Sequence, residues 1–91
     1  MPIVTGQYTL QTGVAQKVVA AENQYQTVLI HNGEHASSRI LYLGNSDVTS
    51  ATGMHLDADT TLTLPLDPGS EVWAVSAHDN IVLTKLAIKQ D

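Results

Sequence analysis

Strict alternation of side-chain character, broken every few residues by turn formers, limits this chain more than any other feature. Tyr8, Leu10 and Thr12 would share one face, with Thr9 and Gln11 on the other, until Gly13 interrupts. Val14, Gln16, Val18 and Ala20 then alternate with Ala15, Lys17 and Val19. Leu62, Leu64 and Leu66 line one side of a later run. A period of two belongs to half-buried strands, since successive side chains of an extended chain point to opposite faces. The ten Thr residues and the many Val favour the same pleated surface. Only residues 14–22 resemble a helix, and Val18-Val19 argues against one there.

The turns divide the chain into seven or eight short strands. Ala21-Glu22-Asn23 reads as a turn before the strong strand Tyr25–His31. Asn32-Gly33 is the best hairpin signal, because both central residues of a type I′ turn need positive φ. Glu34 to Ser38 would extend it into a polar loop. Ser38–Leu43 is apolar on both faces, as in a central or doubly covered strand, and Gly44-Asn45-Ser46-Asp47 ends it. In the irregular stretch 47–59, Val48 and Thr49 could form a short extended piece, Gly53 marks a bend, and Met54 and Leu56 are expected as buried anchors. After Asp67-Pro68-Gly69-Ser70, residues 71–77 and 81–88 would form a last hairpin around His78-Asp79-Asn80. The expected fold is all-β: one small antiparallel β-sandwich or barrel, jelly-roll-like, over residues 7–91, with a flexible N-terminal arm over residues 1–6.

Composition excludes several functions. No cysteine is present, so no disulfide framework or thiolate zinc site can form. The net charge is −5, and the four cations, Lys17, Arg39, Lys85 and Lys89, are scattered. Nucleic acid and acidic lipid call for clustered cations, so neither is an expected partner. No apolar run reaches the length of a membrane span, and the first residues lack the pattern of a signal peptide.

Candidate chemistry is thin. His31-Asn32-Gly33-Glu34-His35 matches H-x-x-E-H, a zinc-protease pattern. That chemistry needs a helix to bring both histidines to one face, and Asn-Gly after a β-branched strand speaks for a loop instead. The two histidines could still meet across the turn. His55 and His78 each stand near an acid, Asp57 or Asp59 and Asp79, but none of the six serines is marked as a nucleophile. Asp57-Ala58-Asp59 begins like a calcium loop yet lacks its later Gly and Glu. Gly44-Asn45-Ser46-Asp47 lacks the Lys of a phosphate loop. Trp73 and Tyr42 fall in strong strands, where aromatics are usually core. No catalytic residue, metal ligand or cofactor is expected, and the chain reads as a non-enzyme.

One stretch carries a resemblance. Ile40-Leu41-Tyr42-Leu43-Gly44-Asn45-Ser46-Asp47-Val48-Thr49, Gly53-Met54-His55-Leu56, Leu62-Thr63-Leu64 and Pro68-Gly69-Ser70-Glu71-Val72-Trp73-Ala74-Val75-Ser76-Ala77 together resemble a module of tailed-bacteriophage structural proteins. The likeness spans about residues 38–88. It implies a β-sandwich of the virion, most like a capsid decoration protein on the capsid surface. Such proteins typically sit as trimers and bind the major capsid protein and one another. The resemblance makes Met1, Pro2, Ile3, Val4 and Thr5 the candidate capsid-contact arm. The alternative is a host-glycan or receptor-binding module on a phage head, neck or tail, using Trp73, Tyr25 or Tyr42 in a groove.

Overall fold

The structure is a computed structural model, and it describes residues 3–90. It is all-β, with eight strands: β1 (Ile3–Leu10), β2 (Gln16–Val19), β3 (Tyr25–Asn32), β4 (Leu41–Gly44), β5 (Met54–Leu56), β6 (Thr61–Leu66), β7 (Val72–Ser76) and β8 (Ile81–Gln90). They form two four-stranded sheets, ordered β1-β8-β3-β6 and β2-β7-β4-β5. All six strand pairings are antiparallel. Interleaving of the chain between two packed sheets is the jelly-roll arrangement.

The alternation seen in the sequence decides which side chains meet between the sheets. In β3, Val28 and Ile30 are fully buried while Leu29 and His31 face outward. Leu10, Leu83, Ile81 and Ala87 join them from β1 and β8. From the other sheet come Val18, Val19, Leu41, Leu43, Leu56, Val72 and Ala74. Leu62, Leu64 and Leu66 pack on this core half-buried, as their spacing predicts, because β6 is an edge strand. Pro65 sits in that same edge strand, where a missing N–H costs least.

Several local expectations are corrected. Asn32-Gly33 is not a hairpin turn: neither residue has positive φ, and β3 and β4 lie in different sheets. Asn32 instead ends β3 and is fully buried. The segment around His78-Asp79-Asn80 also crosses between sheets, since β7 and β8 are in opposite ones, and Asn80 takes the left-handed conformation (φ 59°). Val18 and Val19 are both buried, although they are neighbours, because the β2–β7 register shifts between Lys17 and Val19. A bulge of this kind turns two consecutive side chains toward one side.

The stretch 45–53 folds back over the outer face of the second sheet. Val48 belongs to no strand; its N–H closes a turn on the Asn45 carbonyl at 3.0 Å, and it is the buried anchor there at 6% exposed, whereas Met54 is 52% exposed. Leu56 is buried as expected. Gly53 is required at the bend, since a Cβ there would lie 2.7 Å from both Tyr42 Cβ and Val48 Cγ2.

The arm is corrected as well. Ile3, Val4, Thr5 and Gly6 are the first half of β1 and face Ile88, Ala87, Leu86 and Lys85 of β8. Their alternating, β-prone side chains extend the strand pattern to the start of the described chain. Met1 and Pro2 lie outside the described residues.

Candidate functional site

The H-x-x-E-H residues are brought together in part, and for a structural purpose. Glu34 Oε1 accepts a hydrogen bond from Arg39 Nε, and Oε2 accepts one from the Val82 N–H at 3.1 Å. The Arg39 guanidinium then donates to the Asp79 and Asn80 carbonyls at 2.7 and 3.2 Å. Asp79 Oδ1 accepts from the Thr12 N–H at 3.0 Å and its hydroxyl at 2.7 Å. Three crossing segments, around residues 12, 36 and 79, are thereby laced together at one end of the sandwich. His31 and His35 pair with Asp59, not with Glu34. His31 Nε2 and His35 Nδ1 lie 3.7 and 3.8 Å from Asp59 Oδ1, and His31 Nδ1 lies 2.9 Å from the Thr61 hydroxyl. Among the described residues, no group of three or more His, Asp or Glu is placed to hold a metal ion. His55 pairs with Asp57 at 3.0 Å on the surface.

The lacing makes stability depend on acid. The Val82 N–H first, and Arg39 second, hold the Glu34 carboxyl below its usual range. The Thr12 N–H and hydroxyl do the same for Asp79. A lowered folded pKa gives stabilisation that is complete above the unfolded value and lost as pH falls through the folded one. Melting temperature should therefore hold down to about pH 4.5, the ordinary value for Glu, and fall below it. Glu34→Gln should have a lower neutral melting temperature and a shallower acid decline. Thermal melts of both proteins from pH 7 to pH 3 check this; parallel curves would count against the Glu34 contribution.

Trp73 is not a core residue. It lies half-buried on the outer face of the second sheet, opposite Lys17 and Gly44. Its indole N–H donates to Glu71 Oε1 at 2.8 Å, and Lys17 Nζ lies 5.7 Å from the ring centroid. The Trp73 N–H first, and Lys17 after it, hold the Glu71 carboxyl below its usual range. Tyr42 stands beside His55 and Val75 on the same face, also half-buried.

The outer face of the first sheet differs sharply. Its rows, read across the registers, are Ile3–Ile88–Thr27–Pro65, Thr5–Leu86–Leu29–Thr63 and Gln7–Thr84–His31–Thr61. No Lys, Arg, Asp or Glu stands in these rows. Ile3 is 61% exposed, and Tyr25, at the end of β3 on this side, is 58% exposed. A shallow depression of about 510 Å³ runs over Thr5, Gln7, Leu29, His31, Thr84 and Leu86, with Lys85 at its margin. Sequence reasoning missed this face because it was looking for groups that react. The signal was available: odd-numbered residues of β1 and β3 and even-numbered ones of β8 include no Lys, Arg, Asp or Glu.

No protein-family description matches the chain, and no curated protein matches it. A solved structure does share its shape. A subunit described with the words "Bacillus endospore appendages form a novel family of disulfide-linked pili" superposes with a TM-score of 0.60 at 8% identity, covering 99% of this chain and 87% of that one. PliG, a periplasmic inhibitor of g-type lysozyme from Aeromonas hydrophila, gives a TM-score of 0.44 at 15% identity, covering 98% and 85%. At these identities the first likeness speaks for the fold alone.

Proposed function

We propose that the protein is a structural subunit of a phage particle, a capsid decoration protein that adheres through the outer face of the first sheet. One observation carries this reading: that face is broad, exposed and free of Lys, Arg, Asp and Glu on a chain of net charge −5. The molecule measures 38 × 25 × 16 Å, so its broad side is large enough for a standard interface of roughly 800 Å² per partner. The face mixes Ile3, Leu29, Leu86 and Ile88 with Thr side chains, a composition that a neutral contact surface can use. The partner in this reading is the major capsid protein, and the segment Ile3–Thr5 contributes as part of β1 rather than as a free arm. The pilus subunit of similar shape belongs to an assembly described as disulfide-linked; this chain has no cysteine, so any assembly of it rests on non-covalent contact.

Leu29 is the test residue, because it stands in the middle row of the face and outside the core. Leu29→Lys should weaken binding to purified phage heads by about thirtyfold or more, the loss expected for a hot-spot residue of 2 kcal/mol. The fold should be unchanged by circular dichroism. Co-sedimentation with the heads measures the effect; binding equal to wild type would remove the face from the interface. The glycan-binding alternative is less well supported, since the Trp73 N–H is occupied by Glu71 and Lys17 lies over its ring.

A further inference from the structure

Asn32-Gly33 is a reactive pair as well as a structural one. Where glycine follows asparagine, no side chain shields the asparagine amide from the next backbone nitrogen. Once deprotonated, the Gly33 nitrogen can attack Asn32 Cγ. The N–Cγ bond forms and the Cγ–Nδ2 bond breaks. Nδ2 leaves as ammonia, taking from water the proton that Gly33 gave up. Water then adds across either C–N bond of the five-membered imide, leaving aspartate or isoaspartate at position 32. Of the four asparagines, Asn23, Asn32, Asn45 and Asn80, only Asn32 precedes a glycine. The sequence alone therefore ranks it first for this reaction, and Asn45, followed by the small Ser46, second.

The fold opposes each part of that chemistry. The Gly33 N–H donates to the Val82 carbonyl at 2.8 Å, a bond that holds its proton in place. Nδ2, the leaving group, donates to the Arg39 and Leu56 carbonyls, both at 3.0 Å. Asn32 is the last residue of β3, opposite Leu83, and its own N–H and carbonyl are bonded to Thr60 and Asp59. Ring closure needs the chain to turn at Asn32 until Gly33 N approaches Cγ, and that turn breaks these bonds. Asn32 is also fully buried, away from the water that must carry the proton. One contact acts the other way: the Glu34 N–H, 3.1 Å from Oδ1, polarises the amide. Asn45, by contrast, is exposed in a surface turn.

We infer that Asn32-Gly33 is a self-modification site that the fold keeps inert, so that deamidation marks chains whose β3 end has opened and bars them from refolding. An aspartate at position 32 has no N–H for the Arg39 and Leu56 carbonyls and turns a carboxylate oxygen toward them instead. An isoaspartate inserts an extra carbon into the backbone where β3 ends, beside the Gly33–Val82 bond. Both products suit the open chain and not the sandwich. An unfolded chain therefore has a limited time in which to fold, and unfolding becomes irreversible with age. This chemistry is independent of what the outer face binds.

The test ages the full chain in mildly alkaline buffer, folded in one arm and unfolded in guanidinium in the other. Cleavage after Lys17, Arg39 and Lys85 places Asn32 and Asn45 on separate peptides, and mass spectrometry reads the amide-to-acid change at each. In the unfolded arm Asn32 should change faster than Asn45. In the folded arm the order should invert, with Asn32 slowed by about a hundredfold or more, because core segments open rarely. The aged unfolded chains are then returned to a denaturant concentration at which fresh protein is just folded, and a pulse of protease removes those still open. Chains altered at position 32 should be depleted about tenfold or more in the surviving pool, while chains altered at Asn45 are not. A folded protein that deamidates at Asn32 ahead of Asn45 overturns the inference. So does an unfolded arm in which Asn32 is no faster than Asn45, or a surviving pool as rich in altered position 32 as the mixture it came from.

Discussion

Asn32→Asp is expected to lower the melting temperature by roughly 15–30 °C, or to prevent folding altogether, through a loss of about 3–5 kcal/mol. Asn32 is fully buried where β3 leaves its sheet. Its Nδ2 donates to the Arg39 and Leu56 carbonyls, both at 3.0 Å, and its Oδ1 accepts the Glu34 N–H at 3.1 Å. Its own N–H donates to the Thr60 carbonyl, and its carbonyl accepts the Asp59 N–H, both at 3.0 Å. One residue thus fixes the segments on either side of β4 and β5. An aspartate has nearly the same shape but no N–H to donate. It would turn a buried carboxylate oxygen toward two carbonyl oxygens, which costs more than an unmade bond. Asn32→Ala removes all three side-chain bonds but adds no charge, so it should be harmful yet milder. Chemical denaturation of the three proteins gives the order: wild type above Ala, Ala above Asp. An Asp variant as stable as wild type would show that the amide is not a donor here.

Leu41→Ala should cost about 3 kcal/mol and lower the melting temperature by roughly 12–25 °C. Leu41 is fully buried at the centre of the second sheet, with Leu56 beside it on β5 and Ser76 on β7. Interior packing is dense, so the space left by truncation closes only in part. Leu64→Ala gives the contrast. Leu64 packs on the same core from the edge strand β6 and is only half-buried, so about 1 kcal/mol is expected, near half of the transfer value for a buried Leu. Urea midpoints for the two variants measure the difference. Equal losses would mean that the core is not centred where the alternation places it.

The architecture was legible in the sequence because periodicity reports burial, and burial organises both sheets. The strand number, the sandwich and the inward face of Leu62, Leu64 and Leu66 all follow from it. The connections were not legible, and for a physical reason. Asn-Gly favours a tight turn when only local φ preferences act, but here the Asn32 side chain is drawn into bonds with residues 39 and 56. The bulge at Val18-Val19 is likewise set by the partner β7, not by its own residues. Exposure of Met54 follows from Val48 taking the buried place beside Gly44 and Gly53, which a sequence pattern does not disclose. The candidate site was invisible for another reason. Titratable groups attract attention in a sequence, whereas the proposed contact face is defined by having no Lys, Arg, Asp or Glu.

The sheet order also sets how this chain reaches its fold. Only β4 and β5, joined through residues 45–53, pair as neighbours in sequence; every other described ladder joins distant strands, and in the longest Ile3 meets Ile88. Closing such loops loses entropy before the contacts repay it, so refolding should take milliseconds to seconds rather than microseconds. The central strand β8 is made after the other seven, and without it β1 has no ladder partner among the described strands. Until that moment the first of the eight strands waits, without its ladder, for the eighth.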